Sequence, residues 1–297
     1  MNNDFTEQDP VKLYTLHRTA SRMLPGRNAP IGIFDSGVGG LTVTREVMRQ
    51  IPEERIVYFG DTARVPYGSK SRETVIRYSR QNIRFLKTRG VKAIVIACNT
   101  ASAHAIETVA AESDIPIIGV IYAGAKTAVN STKNKRIGII GTAGTVASNI
   151  YPHVIAQMDG NVKVYQKACP LFVPLAEEGM TDDPLTKEIA ARYLQEIKDV
   201  GVDTLVLGCT HYPLLRSVIR EAVGENVTLV NPAYETALEL KALLKRENLL
   251  NDGKDDADGK DKYEFYVSDL AEKFTDFANS ILPNDVTNTK KIEIEEY

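Results

Sequence analysis

The sequence has no strong charge of either sign: 36 Lys and Arg stand against 39 Asp and Glu, a net charge of −3. That near-balance gives no reason to expect nucleic acid or an anionic membrane as the main partner. Long apolar runs are also missing. The longest, Ile115–Ala125, is broken by Pro116 and Gly119 and is too short to cross a bilayer. Met1–Arg27 is polar and of mixed charge, without the apolar centre of a secretory leader. Cysteine is scarce, with 3 residues far apart. An odd, dispersed set argues against a disulfide framework and for reduced thiols in a cytoplasm. No C-x-x-C or H-x-x-x-H spacing marks a zinc or thioredoxin-like motif.

What the sequence does contain is one stretch written twice. Gly90-Val91-Lys92-Ala93-Ile94-Val95-Ile96-Ala97-Cys98-Asn99-Thr100 aligns without a gap to Gly201-Val202-Asp203-Thr204-Leu205-Val206-Leu207-Gly208-Cys209-Thr210-His211. Each copy is a β-branched apolar run ending in a small residue and a cysteine, the pattern of a strand buried on both faces of a parallel sheet. In open α/β sheets, ligands bind beyond the carboxyl ends of the strands. Both thiols are therefore expected at a functional site.

The remaining chain alternates strand and helix patterns across 297 residues, room for two domains. Strands are expected at Ile31–Phe34, Arg55–Gly60, Pro116–Val120, Arg136–Ile140, Val162–Gln166, Asn226–Val230 and Tyr263–Val267, beside the two cysteine strands. Helices are expected from about Leu41 to Gln50, Ser71 to Arg89 (Ser71 as N-cap, Gly90 as stop), and over Ala101–Glu112, Asp183–Val200, Leu214–Val223, Pro232–Leu249 and Leu270–Leu282. Ile137-Gly138-Ile139-Ile140 restates Ile31-Gly32-Ile33-Phe34, so a second cycle begins there. The fold class expected is α/β: two similar lobes, each a parallel-stranded sheet flanked by helices, with the active site in the cleft between them. Residues 1–29 read as an N-terminal extension with a short helix expected around Val11–Met23; 30–122 plus 234–282 read as the first lobe and 123–233 as the second. Asn251–Lys262 reads as a polar loop and 283–297 as a charged, weakly ordered tail.

Free cysteine usually packs as a small buried hydrophobe. Recurrence of Cys98 and Cys209 at matching strand ends, each followed by polar residues, points elsewhere. Inverting a carbon centre by proton transfer needs a base on one face and an acid on the other, and a thiol with a pKa of about 8.5 can play either part. Asp35 and His211 stand at strand ends where they could hold the required ionisation states. Their ordinary readings are a turn aspartate and a polar residue starting a helix. Cys169 lacks a counterpart and reads as structural. The loop Gly37-Val38-Gly39-Gly40 fails both the dinucleotide and the Gly-Lys-Ser/Thr patterns, yet its amides at a helix start suit a carboxylate.

Five motifs carry a resemblance: Asp35-Ser36-Gly37-Val38-Gly39-Gly40-Leu41-Thr42-Val43, Tyr58-Phe59-Gly60-Asp61-Thr62-Ala63-Arg64-Val65-Pro66-Tyr67-Gly68, Ala97-Cys98-Asn99-Thr100-Ala101-Ser102-Ala103, Gly208-Cys209-Thr210-His211-Tyr212-Pro213-Leu214-Leu215 and, more weakly, Cys169-Pro170-Leu171-Phe172-Val173-Pro174-Leu175-Ala176-Glu177. In order and spacing, over Ala29–Leu282, the chain resembles the glutamate racemases of the aspartate/glutamate racemase superfamily. The resemblance implies cofactor-independent interconversion of L- and D-glutamate, supplying D-glutamate for peptidoglycan, without pyridoxal phosphate or metal. It implies that Cys98 takes the α-proton from D-glutamate and Cys209 from L-glutamate, with Asp35 assisting Cys98 and His211 with Glu177 assisting Cys209. It assigns Asp35, Ser36, Tyr67, Gly68, Asn99, Thr100, Thr142, Thr210 and His211 to the substrate's amino and carboxylate groups, favours Glu177 over Glu178, and implies a cytoplasmic homodimer that binds neither nucleic acid nor membrane.

Two other readings compete. A sister racemase acting on aspartate shares the cysteines but usually carries glutamate after Cys-Thr, where this chain has His211. A non-catalytic carboxylate binder would use the same loops, with no need for a thiol on each face.

Overall fold

The computed structural model describes residues 25–253, 262–284 and 286–297. The N-terminal helical signal and most of the polar 251–262 loop lie outside them. The first strand-helix cycle runs β1 (Ile31–Asp35), α1 (Leu41–Gln50), β2 (Ile56–Gly60), α2 (Arg72–Thr88), β3 (Ala93–Ile96), α3 (Asn99–Ala111) and β4 (Ile117–Gly119). Helix α4 (Val120–Ser131) leads into the second: β5 (Arg136–Gly141), α5 (Ala143–Ala147), α6 (Ile150–Met158), β6 (Lys163–Ala168), α7 (Phe172–Glu177), α8 (Pro184–Asp199), β7 (Thr204–Gly208), α9 (Arg216–Val223) and β8 (Thr228–Val230). Helix α10 (Pro232–Arg246), β9 (Tyr263–Val267), α11 (Ala271–Ile281) and β10 (Thr289–Lys291) follow.

Two parallel sheets result, in the orders β10-β9-β2-β1-β3-β4 and β6-β5-β7-β8. The core β2-β1-β3-β4 of the first is thus the same arrangement as β6-β5-β7-β8. Register makes the match residue by residue. Ile31 faces Ala93 as Ile137 faces Thr204, so Cys98 and Cys209 occupy equivalent places, each five residues further on. Ile31 faces Ile56 and Ile137 faces Val164, which pairs Asp61 with Cys169. The equivalent amide bonds, Asp61 to Asp35 O (3.1 Å) and Cys169 to Gly141 O (2.9 Å), agree. Cys169 therefore does have a counterpart, but a different residue type hides it from sequence.

The strands are apolar because both faces are covered: β1, β2, β3 and β7 are buried throughout. Helix starts follow local chemistry. Ser71 accepts from the Thr74 amide to cap α2, and Asp183 from the Leu185 amide to cap α8, with Pro184 in the first turn. Gly90 ends α2 at φ 68°. Among the described residues no helix is long and apolar enough to cross a membrane.

Three expectations change. Helix α3 starts at Asn99, because Cys98 itself caps it, its sulfur accepting from the Ala101 amide (3.4 Å). Helix α4 was hidden in the broken apolar run; it packs against α10 and α6 at once and so shows no single apolar stripe. The C-terminal stretch is not a loose tail. β10 pairs with β9, Ile294 is fully buried, and Tyr297 packs edge-on to Phe85 at 5.3 Å.

Candidate active site

The loops beyond the strand ends of the two sheets meet. Gly39 lies so close to Thr210 and the His211 ring that a β-carbon there would collide with both. A β-carbon on Gly68 would strike Thr142. Glycine is required at these two points by proximity. Side chains bind the same seam: Thr42 Oγ1 donates to Thr210 O (3.1 Å), Thr100 and Thr142 hydroxyls lie 2.8 Å apart, and His104 Nε2 lies 3.1 Å from Gly144 O.

Cys98 sits on the first-sheet side of this seam. Its sulfur lies 3.7 Å from Ser36 Oγ, and the residue is 6% exposed. Asp35 ends the central strand β1 and is fully buried. Its Oδ2 accepts from the Gly37 amide (3.0 Å), while Oδ1 has no hydrogen-bond partner. Burial raises the Asp35 carboxyl above the usual carboxylate range, against the pull of His211 and the loop amides. Burial, and then the charge of Asp35, push the Cys98 thiol up to about 12. At neutral pH, Cys98 is a thiol.

Cys209 has different neighbours. Its sulfur lies 3.8 Å from His211 Nδ1, and His211 Nε2 lies 3.0 Å from Glu177 Oε1. Burial alone would lower the imidazole, but hydrogen bonds to Cys209 and Glu177, helped by the charges of Cys209 and Asp35, push it up to about 10. The bond to His211 in turn lowers the Glu177 carboxyl, so the two partners agree. The protonated form of His211 is thus favoured, held between a carboxylate and a sulfur. Glu178 turns instead toward Lys273, 3.8 Å away, so geometry singles out Glu177. The charge of Cys209 is among those felt at Cys98, which places both sulfurs in one electrostatic site.

The remaining candidates divide. Asn99, Thr100, Thr142 and Thr210 line the seam, and a small cavity reaching Cys209 is lined by Asn99, Thr210, Thr42 and Asn231. The Tyr67 hydroxyl is committed to Asp61 and to Asn82 Nδ2 (3.1 Å). What Tyr67 and Gly68 offer the seam is therefore backbone. Behind them Asp61 also accepts from Arg64 (2.8 Å) and Ser268 (2.9 Å), a buried network that fixes the loop. Thr42, His104 and Tyr151 were not marked by sequence. Their partners lie 168, 40 and 52 residues away, so no local pattern signals them. Among the described residues no group of three His, Cys, Asp or Glu side chains could hold a metal ion.

Comparison with known proteins supplies the relatives. The Asp/Glu/Hydantoin racemase family profile matches residues 31–239. A glutamate racemase of Geobacter metallireducens is 47% identical over 265 residues, 89% of this chain and 97% of that protein. The crystal structure of a Bacillus anthracis glutamate racemase isoform superposes with a TM-score of 0.85 at 38% identity, covering 90% of this chain and 98% of that one. The Francisella tularensis glutamate racemase, solved in complex with D-glutamate, gives 0.83 at 37% identity, covering 91% and 100%.

Proposed function

The chain belongs to the Asp/Glu/Hydantoin racemase family, and we propose that it is a glutamate racemase working by two-base proton transfer between two cysteines. The observation that carries this reading is the pair of free thiols at register-equivalent strand ends of two sheets. Relatives named as glutamate racemases along nearly their whole length support glutamate as the substrate.

In the proposed cycle, Cys209 removes the α-proton of L-glutamate and the Cys98 thiol delivers a proton to the opposite face. The resting site suits that direction. Protonated His211 places positive charge beside the Cys209 sulfur, and Cys98 already holds a proton. From D-glutamate the roles exchange. The substrate's ammonium group brings positive charge toward Asp35 and Cys98, which favours the Cys98 thiolate. Amides of the Asp35–Gly40 loop, with Ser36, Asn99, Thr100, Thr142, Thr210 and the Tyr67–Gly68 backbone, hold the carboxylates. No cofactor enters this cycle. D-Glutamate so formed supplies peptidoglycan synthesis, in the cytoplasm, from a homodimer; sedimentation of the purified chain checks the last point.

The deciding experiment follows solvent deuterium into the α-position by NMR, with both enantiomers of glutamate and of aspartate. Exchange with inversion on glutamate alone is expected. Exchange on aspartate would make the chain a sister racemase, and exchange on neither would leave a carboxylate binder.

A further inference from the structure

Tyr151, on α6 of the second lobe, is fully buried among apolar side chains, yet its hydroxyl donates to Asn99 Oδ1 at 2.8 Å. Asn99 belongs to α3 in the first lobe, one residue after Cys98. An asparagine amide has an oxygen that accepts and a nitrogen with two donors, and rotation by half a turn exchanges them. The tyrosine breaks that symmetry: it fixes the oxygen on the α6 side. Among the described residues the Asn99 nitrogen carries no hydrogen bond, so both N–H donors are left for a ligand. A carboxylate has only acceptors, so it requires this orientation and is repelled by the reverse.

We propose that Tyr151 is a positioning residue that locks the Asn99 amide with its donors toward the substrate carboxylate. The inference rests on the glutamate-racemase reading and on Asn99 as a substrate contact. Tyr151 also sits beside a place where the chain crosses between the lobes. Its ring lies against Gly208, one residue before Cys209, and its hydroxyl and Pro232 of α10 both crowd the face of Gly124 in α4. Helices α4 and α10 are the two chain crossings between the sheets. The hydroxyl that holds the amide beside Cys98 thus also lies against crossing helix α4.

The test is a double-mutant cycle in the full-length protein, with racemisation followed by circular dichroism. Tyr151→Phe keeps the ring and removes only the donor. Loss of one such hydrogen bond should raise KM for both enantiomers about three- to tenfold, with kcat changed less. Asn99→Ala should raise KM at least as much, and adding Tyr151→Phe to it should change KM no further. A lowered melting temperature for Tyr151→Phe with unchanged KM would reduce the tyrosine to packing and overturn the proposal. So would a KM effect that adds in full to that of Asn99→Ala. A wild-type chain that does not racemise glutamate, or an Asn99→Ala variant with wild-type KM, would instead remove the reading on which the proposal rests.

Discussion

The two lobes repeat one strand order but surround their cysteines differently. In the first, the central strand ends in Asp35 and the thiol beside it is pushed up to about 12. In the second, the equivalent of Asp35 is Gly141, and the ionisable partner comes from just after the cysteine strand: His211, backed by Glu177 at the end of α7. A repeated scaffold delivers two sulfurs to similar places, and surrounds them with unequal neighbours. Proton transfer across a carbon needs one acid and one base at a time, and the unlike surroundings offer each sulfur its own partner for exchanging those parts.

The most direct way to break the comparison is to remove either sulfur. Cys98→Ala and Cys209→Ala should each lower racemisation by at least about 10²- to 10⁴-fold, the usual worth of a positioned acid or base. Rapid turnover by either purified variant would end the two-thiol account. A second difference between the lobes is structural. β2 is buried because β9 and β10 continue its sheet, whereas its counterpart β6 is an edge with Lys163 and Lys167 on it. Ile294→Ala, beneath that extension, should cost about 2–5 kcal/mol in denaturant unfolding; a change near zero would mean the C-terminal segment is dispensable.

Exchanging the acid-base partners sharpens the contrast. Asp35→Asn and His211→Gln should each cost about tenfold in kcat/KM, or about 1.4 kcal/mol. The enantiomers are equal in free energy, so kcat/KM falls equally both ways. The imbalance must appear in the isotope effect of α-deuterated substrate, rising with D-glutamate for Asp35→Asn and with L-glutamate for His211→Gln. The same pattern for both variants would erase the division of labour.

Ionisation also predicts a stability profile. Folded His211 keeps its proton to about 10, while the unfolded imidazole loses it near 6.5. The folded state binds more protons between those values, so this contribution is complete below 6.5 and drains away as pH rises toward 10. Cys98 adds a slope of the same sign only above its ordinary 9.0. Melting temperatures measured across that range should decline in the native chain and decline less in His211→Gln; parallel curves would contradict it. The smallest effect is expected from Tyr67→Phe. It loses a bond to Asp61 rather than to substrate, so about 1 kcal/mol of stability should go with KM nearly unchanged.

The sequence made the repeat legible because buried parallel strands leave uninterrupted apolar runs, and a cysteine at the end of each stands out. Ser71, Gly90 and Asp183 mark their helix ends through chemistry confined to a few residues. Asp35 and His211 were visible for the same reason, since each adjoins a strand end. What could not be read depends on partners far along the chain. Nothing near Tyr151 announces Asn99, and nothing near Thr42 announces Thr210. Helix α4 was obscured because it is covered on several sides, and β10 because its charged residues lie at a sheet edge, where only the backbone pairing defines a strand.

That same C-terminal extension imposes an order on biosynthesis. The second sheet lies within residues 136–230, so it can be completed while the rest of the chain is still being made. The first sheet begins at residue 31 but closes only with residues 289–291. Until β9, residues 263–267, leaves the ribosome, β2 stands at an open edge of apolar residues, Ile56 to Gly60, able to pair with any strand that meets it, and β9 in turn waits for β10. The half of the protein synthesised first is the half that finishes last, and during translation it is the half in need of protection.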